Sequence, residues 1–375
     1  MNFSAPPTQT RLFIGLMSGT SLDGVDAVLV EQQGGHLQQR SQFFLPYPAE
    51  IRQLLLDLHT PAVNELHTAA IASNQLADLY ATAVQGLLQA AKVSAEAVTA
   101  IGCHGQTIRH CPDLAHGQAY TLQLGNHARL AERTGIPVVG DFRSRDIAAG
   151  GQGAPLVPAF HQAIFAAPDT HRVILNIGGI ANLSDLPISG SVTGFDSGPG
   201  NLLMDAWTLQ HTSQTYDAGG AWAVRGSVNQ ALLDALLAEP YFALPIPKST
   251  GRDLFNQTWL NAHLQAHADT PQNVARTLLE LTAVTIAQAL KQHCSGATEI
   301  YACGGGAHNL ALIDRLQILC GLPVQRTDVL GIGVDWVEAV AFAWLAQRCL
   351  DHQPGNLPAV TGAAGPRVLG AIYPN

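Results

Sequence analysis

A duplicated α/β fold, with a ligand cleft between its halves, is what this sequence predicts, and three observations carry that prediction. Two apolar runs, residues 12–17 and 25–30, flank the polar turn Ser18-Gly-Thr-Ser-Leu-Asp-Gly24 and read as paired strands. The same logic returns at Arg172–Ile177, Gly178-Gly179 and residues 180–183. A third apolar run, 300–303, ends in Gly304-Gly-Gly306. Turns of this kind gather at the ends of strands, where ligands bind in open α/β sheets.

The remaining elements follow in order. Residues 37–45 supply a third strand ahead of Pro46 and Pro48. Residues 49–59 and Glu65–Ala91 read as helices, the second rich in Ala, Leu and Gln. Val98–Cys103 is a short strand running into His104-Gly-Gln-Thr107, and Tyr120–Leu124 is another, followed by a helix over 126–134. Residues 137–139 form a strand that ends in Gly140-Asp-Phe-Arg-Ser-Arg-Asp146. Gly150-Gly-Gln-Gly-Ala-Pro155 reads as a flexible link and a domain boundary. In the second half, Gly194-Phe-Asp-Ser-Gly-Pro-Gly-Asn201 precedes a helix over 202–210. Helices are expected over 228–238, 274–294, from about residue 310, and over 336–350, with a short strand at Val324. The domains are expected to comprise residues 1–149 with 346–375, and residues 150–345.

Composition narrows the function classes. At 375 residues, 47% hydrophobic and 13% charged, the chain can bury two substantial cores. A net charge of −9 argues against nucleic acid or an anionic membrane as partner. The six cysteines show no C-x-x-C spacing, so buried free thiols in a reducing compartment are expected. No signal peptide or membrane-length apolar run is present, which points to a cytoplasmic protein. Sixteen arginines stand against three lysines, Lys92, Lys248 and Lys291, and none of these completes a lysine-dependent phosphate loop. A dinucleotide fingerprint, a serine-hydrolase elbow and a His-Glu-x-x-His motif are also missing. Phosphate, if handled, must be held by backbone amides, hydroxyls, arginine and metal.

Each polar constellation has a functional and a structural reading. Residues 18–24 can aim N–H groups and hydroxyls at one anion, with Asp23 and Asp26 beside them for a hydrated Mg²⁺; otherwise they are a plain hairpin tip. Gly178, Gly179, Gly304, Gly305 and Gly306 allow a ligand to approach the main chain, or merely make tight turns. Asp196 among glycines is a general base or closes an Asx turn. Arg143 and Arg145 grip a substrate carboxylate or pair with Asp141 and Asp146. His104, Gln106 and Thr107 offer neutral donors to a sugar, against a buried, satisfied histidine. Glu338 is a carboxylate aimed at the cleft, or it completes a capping box with Asp335.

Taken together these motifs resemble the anhydro-N-acetylmuramic acid kinase family, within the hexokinase/actin-like ATPase superfamily, over residues 12–374. The resemblance rests on Met17-Ser-Gly-Thr-Ser-Leu-Asp-Gly-Val-Asp26, His104-Gly-Gln-Thr107, Asp141-Phe-Arg143, Gly150-Gly-Gln-Gly-Ala-Pro-Leu156, Asn176-Ile-Gly-Gly179, Gly194-Phe-Asp196, Gly198-Pro-Gly-Asn201, Lys248-Ser-Thr-Gly-Arg252, Cys303-Gly-Gly-Gly306 and Trp336-Val-Glu338. It implies two ribonuclease-H-like, actin-like ATPase domains with an interdomain cleft.

It also implies that ATP phosphates rest on Gly19, Thr20, Ser21, Leu22, Asp23, Gly24, Val25 and Asp26 and on Gly178-Gly179, with adenosine near Gly304–Gly306. Mg²⁺ is expected at Asp23 and Asp26. The implied reaction opens the anhydro ring of the sugar with water while O6 receives the γ-phosphoryl group, as part of cell-wall recycling and amino-sugar catabolism. Asp196 matches the base that activates water, Glu338 a second cleft carboxylate, and the arginines of the Asp-Phe-Arg motif the substrate-binding positions. Arg143-Ser-Arg145 stands where three consecutive arginines are expected. The alternative activity is a conventional actin-like sugar kinase in which Asp196 deprotonates a sugar hydroxyl. A homodimer is left open.

Overall fold

The apolar run that opens the chain becomes β1 (Arg11–Met17), and it pairs antiparallel with β2 (Gly24–Gln33). β2 continues into β3 (His36–Pro46), also antiparallel. β4 (Val98–Cys103) returns parallel to β1. β5 (Gln106–Cys111) and β6 (Tyr120–Leu124) pair only with each other, in a separate two-stranded ladder. β7 (Val138–Gly140) lies parallel to β4. In the second half, β8 (Arg172–Ile177), β9 (Ile180–Leu186) and β10 (Thr193–Pro199) form an antiparallel meander. β11 (Glu299–Cys303) and β12 (Val324–Arg326) add parallel strands, and β13 (Ala371–Tyr373) returns to β7.

This computed structural model describes residues 10–19, 21–34, 36–112 and 118–375. The two sheets run β13-β7-β4-β1-β2-β3 and β10-β9-β8-β11-β12. Each contains a three-stranded meander followed by two parallel strands, which is the ribonuclease-H-like arrangement, used twice; the first adds β13, antiparallel to β7, at its edge. The chain divides into two compact units: residues up to Ile164 with Trp336–Asn375, and Phe165–Asp335.

Packing explains where the first unit ends. The helix Val337–Leu350 is buried along most of its length and lies on β1, β2 and β4. Glycine makes this close approach possible. A Cβ at Gly15 would collide with the Ala339 carbonyl, and one at Gly102 with the Phe342 carbonyl. The expected break within this helix, at residue 345, therefore differs from the division seen, which falls before Trp336. The expected link 150–155 is not a loose tether: Asp146 accepts from Gly153 N at 2.8 Å, and Gln152 N donates to Thr361 O at 2.8 Å. These bonds fix it inside the first unit.

Opposite that helix, Glu65–Ala91 buries Ala72, Leu76, Ala77, Tyr80, Ala81, Ala83, Val84 and Leu87, a 3.6-residue stripe laid on β2 and β3. Full burial of Leu76, Val84 and Leu87 contributes ~1.5–3 kcal/mol each. In the second unit, Pro271–His293 is the long core helix, capped by Thr270 with Pro at its first turn.

Residues 193–199, read from the sequence only as the stretch ahead of a helix, are an edge strand, where glycine and proline are tolerated. The structure also contains helices at Val157–Phe165 and Gln257–Leu264 that the sequence pattern did not signal. All six cysteines are free, and four are buried; Cys111 is exposed, against expectation. Among the described residues no helix is long and apolar enough to cross a membrane.

Candidate functional site

The loop between β1 and β2 is tied down at both ends. At its start Ser18 is buried, donating to Gly105 O at 3.2 Å and lying 2.9 Å from the Tyr80 hydroxyl. Gln106 Nε2 donates to Gly19 O at 3.1 Å. At its end Asp23 O accepts from Tyr47 N at 2.9 Å. Leu22 turns back in the left-handed region (φ 56°), and its side chain is plugged into the core. Val25 is also core, and Gly24 packs against Leu45 O. Leu22 and Val25, expected at the nucleotide, thus offer a ligand only their main chain. Gly19 has open space where a Cβ would stand, with Ser21 Oγ the nearest atom at 3.7 Å. Ser21 Oγ donates to Asp23 Oδ1 at 2.6 Å. Thr20 lies outside the described residues.

Among the described residues, no group of three or more His, Cys, Asp or Glu could hold a metal ion. That is compatible with Mg²⁺, which keeps several waters and takes one or two carboxylates plus phosphate oxygens. Asp23 is exposed and Asp26 half-buried on β2, and both are carboxylates, the ligand type a hydrated Mg²⁺ takes.

Beside the loop, the first unit presents His104, Arg143 and Glu338. Arg143 donates from Nε and Nη2 to His104 Nε2, at 3.2 and 2.9 Å, and from Nη1 to Gly153 O at 2.8 Å. His104 Nε2 is therefore an acceptor, which assigns the proton to Nδ1. Burial, reinforced by the Arg143 charge, holds the His104 pKa well below its ordinary value, so the ring is neutral. Burial pulls Arg143 down to about 10, opposed by Glu338 and Asp146, so it stays charged at neutral pH.

Arg145 is separated from this group. It is exposed, and its charge acts on Cys349, at the far end of the Val337–Leu350 helix from Glu338. Of the two candidate arginines, only Arg143 stands with His104 and Glu338. Gln106, expected at the sugar, is fully buried and bonded to Gly19. Thr107 Oγ1 accepts from Gln123 Nε2 at 3.1 Å within the β5–β6 ladder. The capping-box reading of Glu338 falls, because Trp336 caps the helix without a side-chain bond and Asp335 pairs with His308 at 2.9 Å.

The second unit brings its glycines together. Gly200 N and Leu202 N donate to Gly179 O, and Asn201 N to Gly178 O, at 2.9, 3.1 and 2.8 Å. Asn201 Nδ2 donates to Ile177 O at 3.1 Å. A Cβ at Gly200 would collide with Gly178 O, and one at Gly306 with Ile177. Gly304 is left-handed (φ 77°) and packs on Asn176. The turn at Gly178-Gly179, the 198–201 segment and Gly304–Gly306 thus form one corner where backbone lies open to a ligand; Gly179 and Gly305 are exposed. Asn201 was quoted in the sequence motif without a role, and its flanking glycines were the available signal.

On the edge strand of that unit stands Asp196. The ladder shifts register between Asp196 and Gly198, a bulge that re-aims the side chain. Asp196 N donates to Lys248 O at 3.0 Å, and Asp196 O accepts from the Tyr241 hydroxyl at 2.9 Å. Asp196 Oδ2 accepts from Thr250 N at 3.0 Å, and Oδ1 has no partner among the described residues. The Lys248 ammonium is held by the carbonyls of Tyr241 and Phe242 and lies over the Tyr241 ring, away from the carboxylate. Burial raises the Asp196 pKa to about 6, opposed by the Thr250 N–H. The Asx-turn reading falls, since the residue is in a strand. Sequence reasoning missed Thr250 and Tyr241 as its partners, though Lys248-Ser-Thr-Gly-Arg252 was the signal for the first.

Comparison with known proteins agrees with these motifs. The family model described as anhydro-N-acetylmuramic acid kinase matches residues 11–375. A protein of that name from Nitrosospira multiformis is 58% identical over 363 residues, covering 96% of this chain and 98% of its own. One from Nitrosomonas europaea is 56% identical over 363 residues, covering 96% and 99%. Among solved structures, the component A of (R)-2-hydroxyglutaryl-CoA dehydratase from Acidaminococcus fermentans aligns with a TM-score of 0.47 at 10% identity, over 89% of this chain and 96% of that one. With the family model spanning nearly every residue and relatives identical at more than half their positions, the chain belongs to the anhydro-N-acetylmuramic acid kinase family.

Proposed function

We propose that this chain is an ATP-dependent kinase that opens the 1,6-anhydro ring of 1,6-anhydro-N-acetylmuramic acid with water and phosphorylates O6, giving N-acetylmuramic acid 6-phosphate. Such a reaction belongs to cell-wall recycling in the cytoplasm. Family membership supports the substrate and favours the hydrolytic reading over a conventional sugar kinase. One observation carries the chemistry: Asp196 is a half-enclosed carboxylate with one oxygen bonded to Thr250 N, the other without a partner among the described residues, and a pKa raised to about 6.

On this reading Asp196 takes a proton from water as the water oxygen bonds to the anomeric carbon. The C1–O6 bond breaks, O6 bonds to the γ-phosphorus, and the β,γ-bridging oxygen departs with ADP. O6 leaves into a phosphoryl group, so no dedicated acid is needed there. The N–H groups of 18–24 and of the Gly178-Gly179 corner serve the phosphates, and Gly304–Gly306 the adenosine. Mg²⁺, held by Asp23 and Asp26, supplies neutralisation of the phosphate charge when bound. Arg143 and the neutral His104 serve the sugar's carboxylate and hydroxyls, with Glu338 as the second carboxylate.

Turnover in ¹⁸O-water with Mg-ATP tests this directly: label is expected at the anomeric position of the product. Label-free phosphorylated sugar would leave the conventional kinase standing. Asp196→Asn is expected to remove turnover at least 10³-fold while ATP still binds, as read by calorimetry. Because only the ionised carboxylate is a base, kcat/KM of the parent should rise with pH through about 6 and level off above. The linked stability has the opposite sign. A raised pKa favours the folded protein below its ordinary value of 3.8, and that contribution is lost as pH climbs through about 6.

A further inference from the structure

Two buried tyrosines connect the two ends of the β1–β2 loop. Tyr80 projects from the middle of the Glu65–Ala91 helix and Tyr47 follows β3; they are 1% and 8% exposed. The Tyr80 hydroxyl lies 2.9 Å from Ser18 Oγ, and the Tyr47 hydroxyl 3.4 Å from that of Tyr80. Ser18 has one hydroxyl proton and gives it to Gly105 O. The chain of donors therefore runs Tyr47 to Tyr80 to Ser18 to Gly105 O. Tyr47 also closes the circuit from the other side, since its N–H donates to Asp23 O at the loop's exit. Burial raises both phenols, Tyr47 to about 12 and Tyr80 well above its ordinary value, so both keep their protons.

A loop of this length needs such a device. Six residues separate β1 from β2, too many for the ladder to set the turn by register alone. Leu22 anchors the middle by burial but does not fix the entry and exit relative to each other. We infer that the Tyr47–Tyr80 pair is a clasp that sets the spacing of the two arms of the phosphate-binding loop, both hydroxyls acting on Ser18 as positioning groups. Neither hydroxyl needs to meet a reactant. The effect on catalysis is to hold loop N–H groups where the triphosphate is received, because displacements of about 1 Å cost large factors in rate.

The inference rests on the reading that this loop binds ATP phosphates, so the experiment separates the two. Tyr80→Phe removes one oxygen from a packed ring. It is expected to raise the KM for ATP about tenfold (a factor of ten is ~1.4 kcal/mol) and to leave the KM for the sugar within twofold. Tyr47→Phe should raise the ATP KM less, and the double variant should raise it by less than the product of the two single effects, because both hydroxyls act on Ser18. Gly19→Ala supplies the control for the loop itself, since among the described residues a methyl there meets only Ser21 Oγ, at 3.7 Å, and would intrude on bound phosphate. If Gly19→Ala raises the ATP KM but Tyr80→Phe lowers only the melting temperature, the clasp is wrong and the loop reading survives. If Gly19→Ala leaves ATP binding unchanged, the loop reading fails and the clasp goes with it. Additive effects of the two tyrosine variants would overturn their joint action on Ser18. Should Tyr80→Phe fold poorly, Tyr47→Phe alone still decides: its effect must fall on the ATP KM and not on the sugar's.

Discussion

The two halves solve the same problem differently. Each carries a strand–turn–strand corner at the head of a ribonuclease-H-like sheet, β1 to β2 in one and β8 to β9 in the other. Six residues make the first turn and two glycines the second. The long turn is held by side chains: Tyr80 at Ser18, Gln106 at Gly19, and its own buried Leu22. The short turn is held by backbone, through bonds from residues 200–202 to Gly178 O and Gly179 O. What it requires of its neighbours is mainly room. Turn length thus decides whether chemistry or space is the limiting requirement, and so which substitutions each corner resists.

The largest difference should appear at the glycines. Gly200 abuts Gly178 O and Ala181 N, both backbone atoms that cannot step aside. Gly200→Ala is expected to destabilise the protein by about 3 kcal/mol, the upper range for overpacking, in urea unfolding followed by circular dichroism. Gly19→Ala, with nothing nearer than 3.7 Å, should change stability by less than about 1 kcal/mol and act on ATP binding instead. Comparable losses in the two variants would break the contrast between the corners.

Legibility in the sequence divides along the same line. Strands and core helices were readable because burial imposes a period: the stripe of Glu65–Ala91 and the runs at β1, β8 and β11 were placed to within a residue, while β2 runs three residues past its expected end. The glycine clusters at 178–179 and 304–306 were legible as turn or close-approach positions, and at Gly304 and Gly306 a Cβ would indeed collide with Asn176 and Ile177. What the pattern could not supply was the partner of each side chain. Gln106 looks like a sugar donor in sequence, yet burial turns it to Gly19. Arg143 and Arg145 are indistinguishable two residues apart, but a short helix (Ser144–Ala148) sends one to His104 and exposes the other. Asp196 was not recognised as a strand residue because an edge strand with a bulge tolerates the glycine and proline that ordinarily mark turns. Each of these depends on contacts across dozens of residues, which no local window contains.

Asn201 offers the finest test of how the second corner is fixed. Its Nδ2 bond to Ile177 O is the counterpart of the Gln106 bond to Gly19 O, a side-chain amide closing on a backbone carbonyl near a glycine. In the first unit such a bond grips the loop itself; in the second it grips the strand end below the turn. Asn201→Ala should therefore cost only about 1 kcal/mol, the net worth of one such bond. The bonds from Gly200 N, Asn201 N and Leu202 N to the Gly178 and Gly179 carbonyls involve no side chain and should persist. A loss as large as that for Gly200→Ala would mean that the side chain fixes this turn after all, and the two corners would then be built on one principle.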